Sequence, residues 1–186
     1  MTDQRPPVLS LDRSLPLDMA AAVARGTRGL ALSAPAAARL AEAKGAVEHL
    51  LAESYARRDR VSLIAFRGTG ADLLLPPTRA LARARRLLAN LPGGGGTPLA
   101  AGLDAATEAA LAARRQGSVP VVVVLTDGRA NVARDGLGGR AQATADALDA
   151  AAGFRRAELS AVLIDTAPRP DPQARAIAEA MGARYV

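Results

Sequence analysis

Apolar positions along the chain follow two rhythms that take turns. Short runs that alternate or stay apolar, rich in β-branched residues, predict strands at GLAL (29–32), RVSLIAFRG (60–68), ADLLLPP (71–77), VPVVVVLTDG (119–128), LSAVLID (159–165) and ARYV (183–186). Segments with residues recurring at helical spacing predict helices over 36–57, 78–91, 98–117, 139–157 and 172–182. In the first of these the repeating positions are Leu40, Val47, Leu50, Leu51 and Ser54. A Gly-containing turn joins 60–68 to 71–77, which predicts a hairpin. Thr78 opens the helix that follows. For 98–117 the expected signals are Thr97 as N-cap, Pro98 at the first helical position and Gly117 just past the end. The run at 119–128 is apolar and β-branched, as in a central parallel strand covered on both faces. Residues 1–28, rich in proline, read as an N-terminal extension.

Strands alternating with helices predict a doubly wound α/β sheet. In such a sheet the functional crevice lies outside the carboxyl ends of the strands. Three features fall there: the glycine loop LPGGGGTPL with Thr97, the LTDGRAN turn with Asp127, and the LIDT turn with Asp165.

Composition narrows the function classes. The chain has 186 residues, enough for one domain with a substantial core, and is 49% hydrophobic and 23% charged, a globular balance. Aromatics are only 2%, so the core must come from Ala, Leu, Val and Ile. Without cysteine there are no disulfides and no thiolate-bound metals, which fits a reducing cytoplasm. The longest apolar stretches are broken by Pro, Gly or charge, and no signal-peptide pattern opens the chain, so no membrane insertion is expected. The net charge of +6 comes almost wholly from arginine. Its densest run, RALARARRLL from Arg79, lies on the outer side of a predicted helix and, with no aromatic platform beside it, reads as a solvated surface rather than a nucleic-acid site.

Each candidate chemistry meets a plainer reading. The glycine loop lacks the G-x-x-x-x-G-K-[ST] pattern and sits between two helices, which weakens nucleotide binding. Asp127 precedes Gly128 as a turn residue would, and Asp165 suits a structural turn. The lone histidine, His49, has no second ligand beside it. Ser33 lacks a nucleophile elbow, so no catalytic site is expected within the chain.

The blocks RLAEAKGAVEHLLAESYARRDRVSLIAFRGTGADLLLPPTRAL, LPGGGGTPLAAGL and LTDGRAN resemble the C-terminal von Willebrand factor A-type (integrin I) domain of magnesium chelatase D subunits, the bacteriochlorophyll branch in particular. The resemblance runs from Ala36 to Val186, and it implies a domain over 29–186 without the family's final helix. It implies a mostly parallel sheet with helices on both faces and one antiparallel edge strand, here ADLLLPP. It also implies a non-catalytic adaptor that meets the I and H subunits of an ATP-dependent complex inserting Mg²⁺ into protoporphyrin IX. Either an isolated domain or an abbreviated homologue fits. Two other readings stay open: a metal-independent A-type scaffold, and a doubly wound nucleotide-binding enzyme.

Domains that this chain resembles hold a divalent metal through D-x-S-x-S after the first strand, a threonine from a second loop and an aspartate from a third. By motif, Thr97 is that threonine and Asp127 that aspartate, while SAPAAARLAEAKG leaves only Ser33 where D-x-S-x-S would stand. The implied Mg²⁺ site at Thr97, Asp127 and Ser33 is therefore weakened, because Mg²⁺ seeks about six hard oxygen ligands. The glycines would let a tight loop bring Thr97 to that site.

Overall fold

The computed structural model describes residues 27–33, 54, 56, 58–90, 95–136 and 139–186. Most of the helix predicted over 36–57, with His49, lies outside them, as do residues 1–26. Among the described residues the elements are β1 (Thr27–Ser33), β2 (Arg60–Arg67), β3 (Gly70–Thr78), α1 (Leu81–Ala89), α2 (Leu99–Arg115), β4 (Val121–Thr126), α3 (Arg140–Arg156), β5 (Ser160–Asp165), α4 (Pro172–Met181) and β6 (Arg184–Tyr185). Every one of these matches a segment expected from the sequence.

The strands form one sheet in the order β3-β2-β1-β4-β5-β6. β1 pairs in parallel with β2 and β4, β4 with β5, and β5 with β6. β2 and β3 pair antiparallel, which puts ADLLLPP at the edge as the hairpin signal requires. Pro76 and Pro77 are tolerated there because an edge strand need not donate to a further neighbour, and the β2–β3 register shifts beside them. In β4 all six residues are buried, the consequence of strands on both sides and helices above and below.

Alternation along the strands divides the core. One face, with Ile64, Phe66, Val122, Val124 and Leu163, packs against α2, α3 and α4. The other, with Val61, Leu63, Leu75, Val123 and Leu125, takes Ala84 of α1 together with the partly buried Leu81 and Leu87. Buried alanines line the inner side of α3 (Ala143, Ala147, Ala150, Ala151), so that helix sits close to its neighbours and Phe154 and Phe66 supply the bulk.

Two local expectations are corrected. Pro98, not Thr97, occupies the N-cap of α2, with φ −78° and ψ 68° and no side-chain cap bond. The backbone of Thr97 is instead engaged with Asn131, as described below. Gly117 lies past the Gln116 C-cap with φ 79°, a left-handed position suited to glycine. Thr78 ends β3 rather than opening a helix: α1 begins at Leu81, and in the turn between them Thr78 Oγ1 accepts from the Ala80 N–H at 3.1 Å.

Candidate functional site

The carboxyl ends of the parallel strands carry the loops singled out by the sequence. β4 ends at Thr126, whose Oγ1 accepts from the Gly128 N–H at 3.1 Å. Asp127 Oδ1 accepts from the Arg129 N–H at 3.2 Å, an Asx-type turn that directs the chain away from the sheet. Gly128 adopts φ +73°. A Cβ there would lie 2.6 Å from the Cα of Ala174, so the first turn of α4 rests directly on this turn. Only glycine meets both requirements.

Asn131 fastens the glycine loop to the same exit. Its Oδ1 accepts from the Thr97 N–H at 2.6 Å, and its own N–H donates to the Thr97 carbonyl at 3.3 Å. Gly96 is wedged between loops: a Cβ would come within 2.6 Å of the Gly68 carbonyl oxygen and 2.5 Å of Val132 Cγ2. Bare backbone at Gly96 therefore allows three loops to close on one another. Residues 91–94, the first part of the glycine run, lie outside the described residues.

Ser33 is the last residue of β1, opposite Phe66 of β2. Since Leu32 pairs with Leu125 of β4, Ser33 and Asp127 lie at neighbouring strand exits. Thr97 is joined to the same β4 loop through Asn131.

Asp165 acts structurally, in line with the plainer reading of it. Its Oδ1 accepts from the Ala167 N–H at 2.8 Å, and its Oδ2 from the Asp171 N–H at 2.9 Å and the Tyr185 hydroxyl at 2.5 Å. Burial, and then the bond to Asp165, push the Tyr185 phenol up to about 12. The Arg175 guanidinium stands 4.9 Å over the Tyr185 ring.

Two contributors were not anticipated. Asp171 caps α4 by accepting from the Gln173 N–H at 2.8 Å and also pairs with Arg129 Nε at 3.3 Å. Arg134 ties the β4–α3 loop down. Its guanidinium bonds Asp104 of α2 at 2.9 and 3.1 Å and Asp149 of α3 at 2.8 Å, and its N–H bonds Asp146 at 2.9 Å. Those carboxylates raise the guanidinium further above its ordinary range. In turn the Arg134 N–H, and then the Gln142 amide, hold the Asp146 carboxyl below the usual carboxylate range. Asp-x-x-Asp at 146 and 149 on one helix face was a legible signal; the partner arginine, distant in sequence, was not.

For a hard cation the strand exits bring Asp127 and Thr97 onto adjoining loops, with Ser33 at the end of β1. One Asp127 oxygen already serves the turn. Among the described residues no three His, Cys, Asp or Glu side chains gather in one place. This donor set falls short of the six oxygens Mg²⁺ prefers, so solvent would have to complete the shell.

A doubly wound α/β domain with one antiparallel edge and a loop cluster at the strand ends is thus defined. Residues 18–129 match the von Willebrand factor type A domain, and the chain belongs to that family. It is 59% identical over 151 residues to the magnesium-chelatase 60 kDa subunit of Cereibacter sphaeroides, and 51% identical over 151 residues to that of Rhodobacter capsulatus. Each alignment covers 81% of this chain and 27% of the relative, so the chain spans 27% of their length. The crystal structure of the SpRpn10 VWA domain superposes with a TM-score of 0.63 at 13% identity, covering 88% of this chain and 87% of that one, a likeness of fold alone.

Proposed function

We propose that this chain is a non-catalytic adaptor domain of a magnesium chelatase of the bacteriochlorophyll pathway. It would meet the chelatase I and H subunits through the loop cluster at the strand ends. The identity of 59% over 151 residues to a magnesium-chelatase subunit carries this reading. Mg²⁺ is the cargo of that reaction, and the steps that consume ATP and load porphyrin belong to other domains or chains.

The chain's own part is to present a rigid face. Asn131 fixes the Thr97 backbone, Arg134 ties the β4–α3 loop to α2 and α3, and α4 seats the Asp127–Gly128 turn. A face ordered before docking loses less entropy when a partner binds. A divalent cation held by Asp127, Thr97 and Ser33 would supply a positive centre for a partner carboxylate.

Pull-down of the I and H subunits by the purified chain, with Mg²⁺ or with chelator, tests the proposal; capture of neither subunit in either condition refutes it. Titration calorimetry with Mg²⁺ and Mn²⁺, beside Asp127→Ala, tests the cation. A metal-independent scaffold is the second reading, favoured by the Asp127 oxygen already engaged with Arg129. Partner affinity unchanged in chelator would select it.

A further inference from the structure

At the opposite end of the strands the surface is crowded with arginine. Arg58 and Arg60 lie at the start of β2, whose Val61 pairs with Thr78 at the end of β3, and Arg79 follows at once. Arg79 Nε donates to the Arg58 carbonyl at 3.2 Å, which holds the two segments together. α1 turns Ala84, Leu81 and Leu87 to the sheet and carries Arg83, Arg85 and Arg86 on the rest of its circumference. All six arginines are exposed. Among the described residues, none of these guanidinium groups is in an ion pair.

Among the described residues, carboxylates are scarce along the segment that carries them. Of the two in residues 58–90, Asp59 is only 5% exposed, and Asp72 sits opposite Ala65, six residues along β3 from Thr78. That is about 20 Å at ~3.3 Å per residue, beyond the reach of unscreened attraction at ordinary salt. A second observation concerns Arg58, which holds φ +58°, a left-handed conformation that glycine or asparagine adopts at lower cost.

We infer that this arginine face, formed by Arg58, Arg60, Arg79, Arg83, Arg85 and Arg86, docks an acidic polypeptide segment of a partner protein. Unpaired guanidinium forks match carboxylates in bidentate geometry. A polypeptide is favoured over nucleic acid because Phe66, the aromatic residue of 58–90, is fully buried on the far face of the sheet and no described aromatic stands among the arginines to stack on a base. The inference rests on the reading of the chain as an interaction domain and adds a second surface, remote from Asp127.

Fluorescence anisotropy on the whole chain tests it, with labelled poly-L-glutamate of ~20 residues and, separately, a ~20-base-pair DNA duplex, at about 50 mM and about 300 mM salt. The variant R83E/R85E/R86E is compared with R67E/R140E/R169E, an equal charge change on exposed arginines at the other strand ends. The expected result is glutamate binding at the lower salt, weakened about tenfold or more by the first variant and about twofold or less by the second, with both melting like the parent. R83Q/R85Q/R86Q is expected to fall between. Equal losses in the two charge reversals, tighter binding of the duplex, or no glutamate binding at low salt overturns the inference. Asp127→Ala is expected to leave glutamate binding intact. Capture of the chelatase subunits is read separately, so a failure here and a failure of the adaptor reading stay distinct.

Discussion

Gly128→Ala puts the contact between the Asp127 turn and α4 under direct test. Two costs add at this position. The left-handed φ of +73° costs a side chain about 1 kcal/mol or somewhat more. The new methyl would also lie 2.6 Å from the Ala174 Cα and 2.8 Å from its Cβ, where ordinary contact begins near 3.4 Å, and the obstruction is mostly helix backbone. Relief means moving the first turn of α4 by roughly an ångström, an overpacking strain of about 2 kcal/mol. Gly136 is the natural control, because it has the same φ of +73° and nothing within 4 Å of a built Cβ. Differential scanning calorimetry of the two variants should separate the effects. Gly136→Ala is expected to lower Tm by about 2–4 °C and Gly128→Ala by about 6–12 °C. Equal shifts would mean that α4 does not rest on the turn, and the account of how Asp127 is held would fail with it.

Other substitutions address other contacts. Asn131→Ala removes the acceptor for the Thr97 N–H and is expected to cost about 1 kcal/mol while speeding hydrogen exchange at that amide; unchanged exchange at Thr97 would refute the clamp. Arg134→Met, which keeps the aliphatic stem, is expected to cost about 1 kcal/mol or less because Asp104 and Asp149 are half exposed, and to loosen the 127–139 loop in exchange experiments. Tyr185, with its phenol at about 12 in the fold against about 10 unfolded, favours the folded state while it stays protonated. That contribution is whole below pH 10 and is lost as pH rises through 12, so alkaline unfolding should be shallower in Tyr185→Phe; identical pH profiles would discount the Asp165 bond.

The architecture was readable because each β-branched run and each helical repeat is long and local. β4 announces itself by the apolar run VVVVL, and the β2–β3 hairpin by its glycine turn and the prolines that confine β3 to an edge. Asp127, Thr97 and Asp165 were also placed at the strand ends by pattern. What failed was the role of Thr97, since a threonine before proline looks like a cap until Asn131, 34 residues away, claims its backbone. Arg134 escaped for the same reason: it bonds Asp104 at a separation of 30 residues and Asp149 at 15. Its composition neighbourhood, rich in arginine, gives no hint of which one is spoken for. Side-chain bonds between distant loops leave no period in the sequence.

β1 is flanked on one side by β2 and on the other by β4, whose Val121 pairs with Arg28. Roughly 90 residues separate these partners, and closing a loop of that length costs about 4 kcal/mol before any contact offsets it. On a ribosome, β1 therefore waits through the synthesis of everything between Ser33 and Val121, the β2–β3 hairpin, α1 and α2 included, with one edge open. At about 5–20 residues per second that wait lasts several seconds or more, long enough for a chaperone or a neighbouring nascent chain to reach the bare strand first.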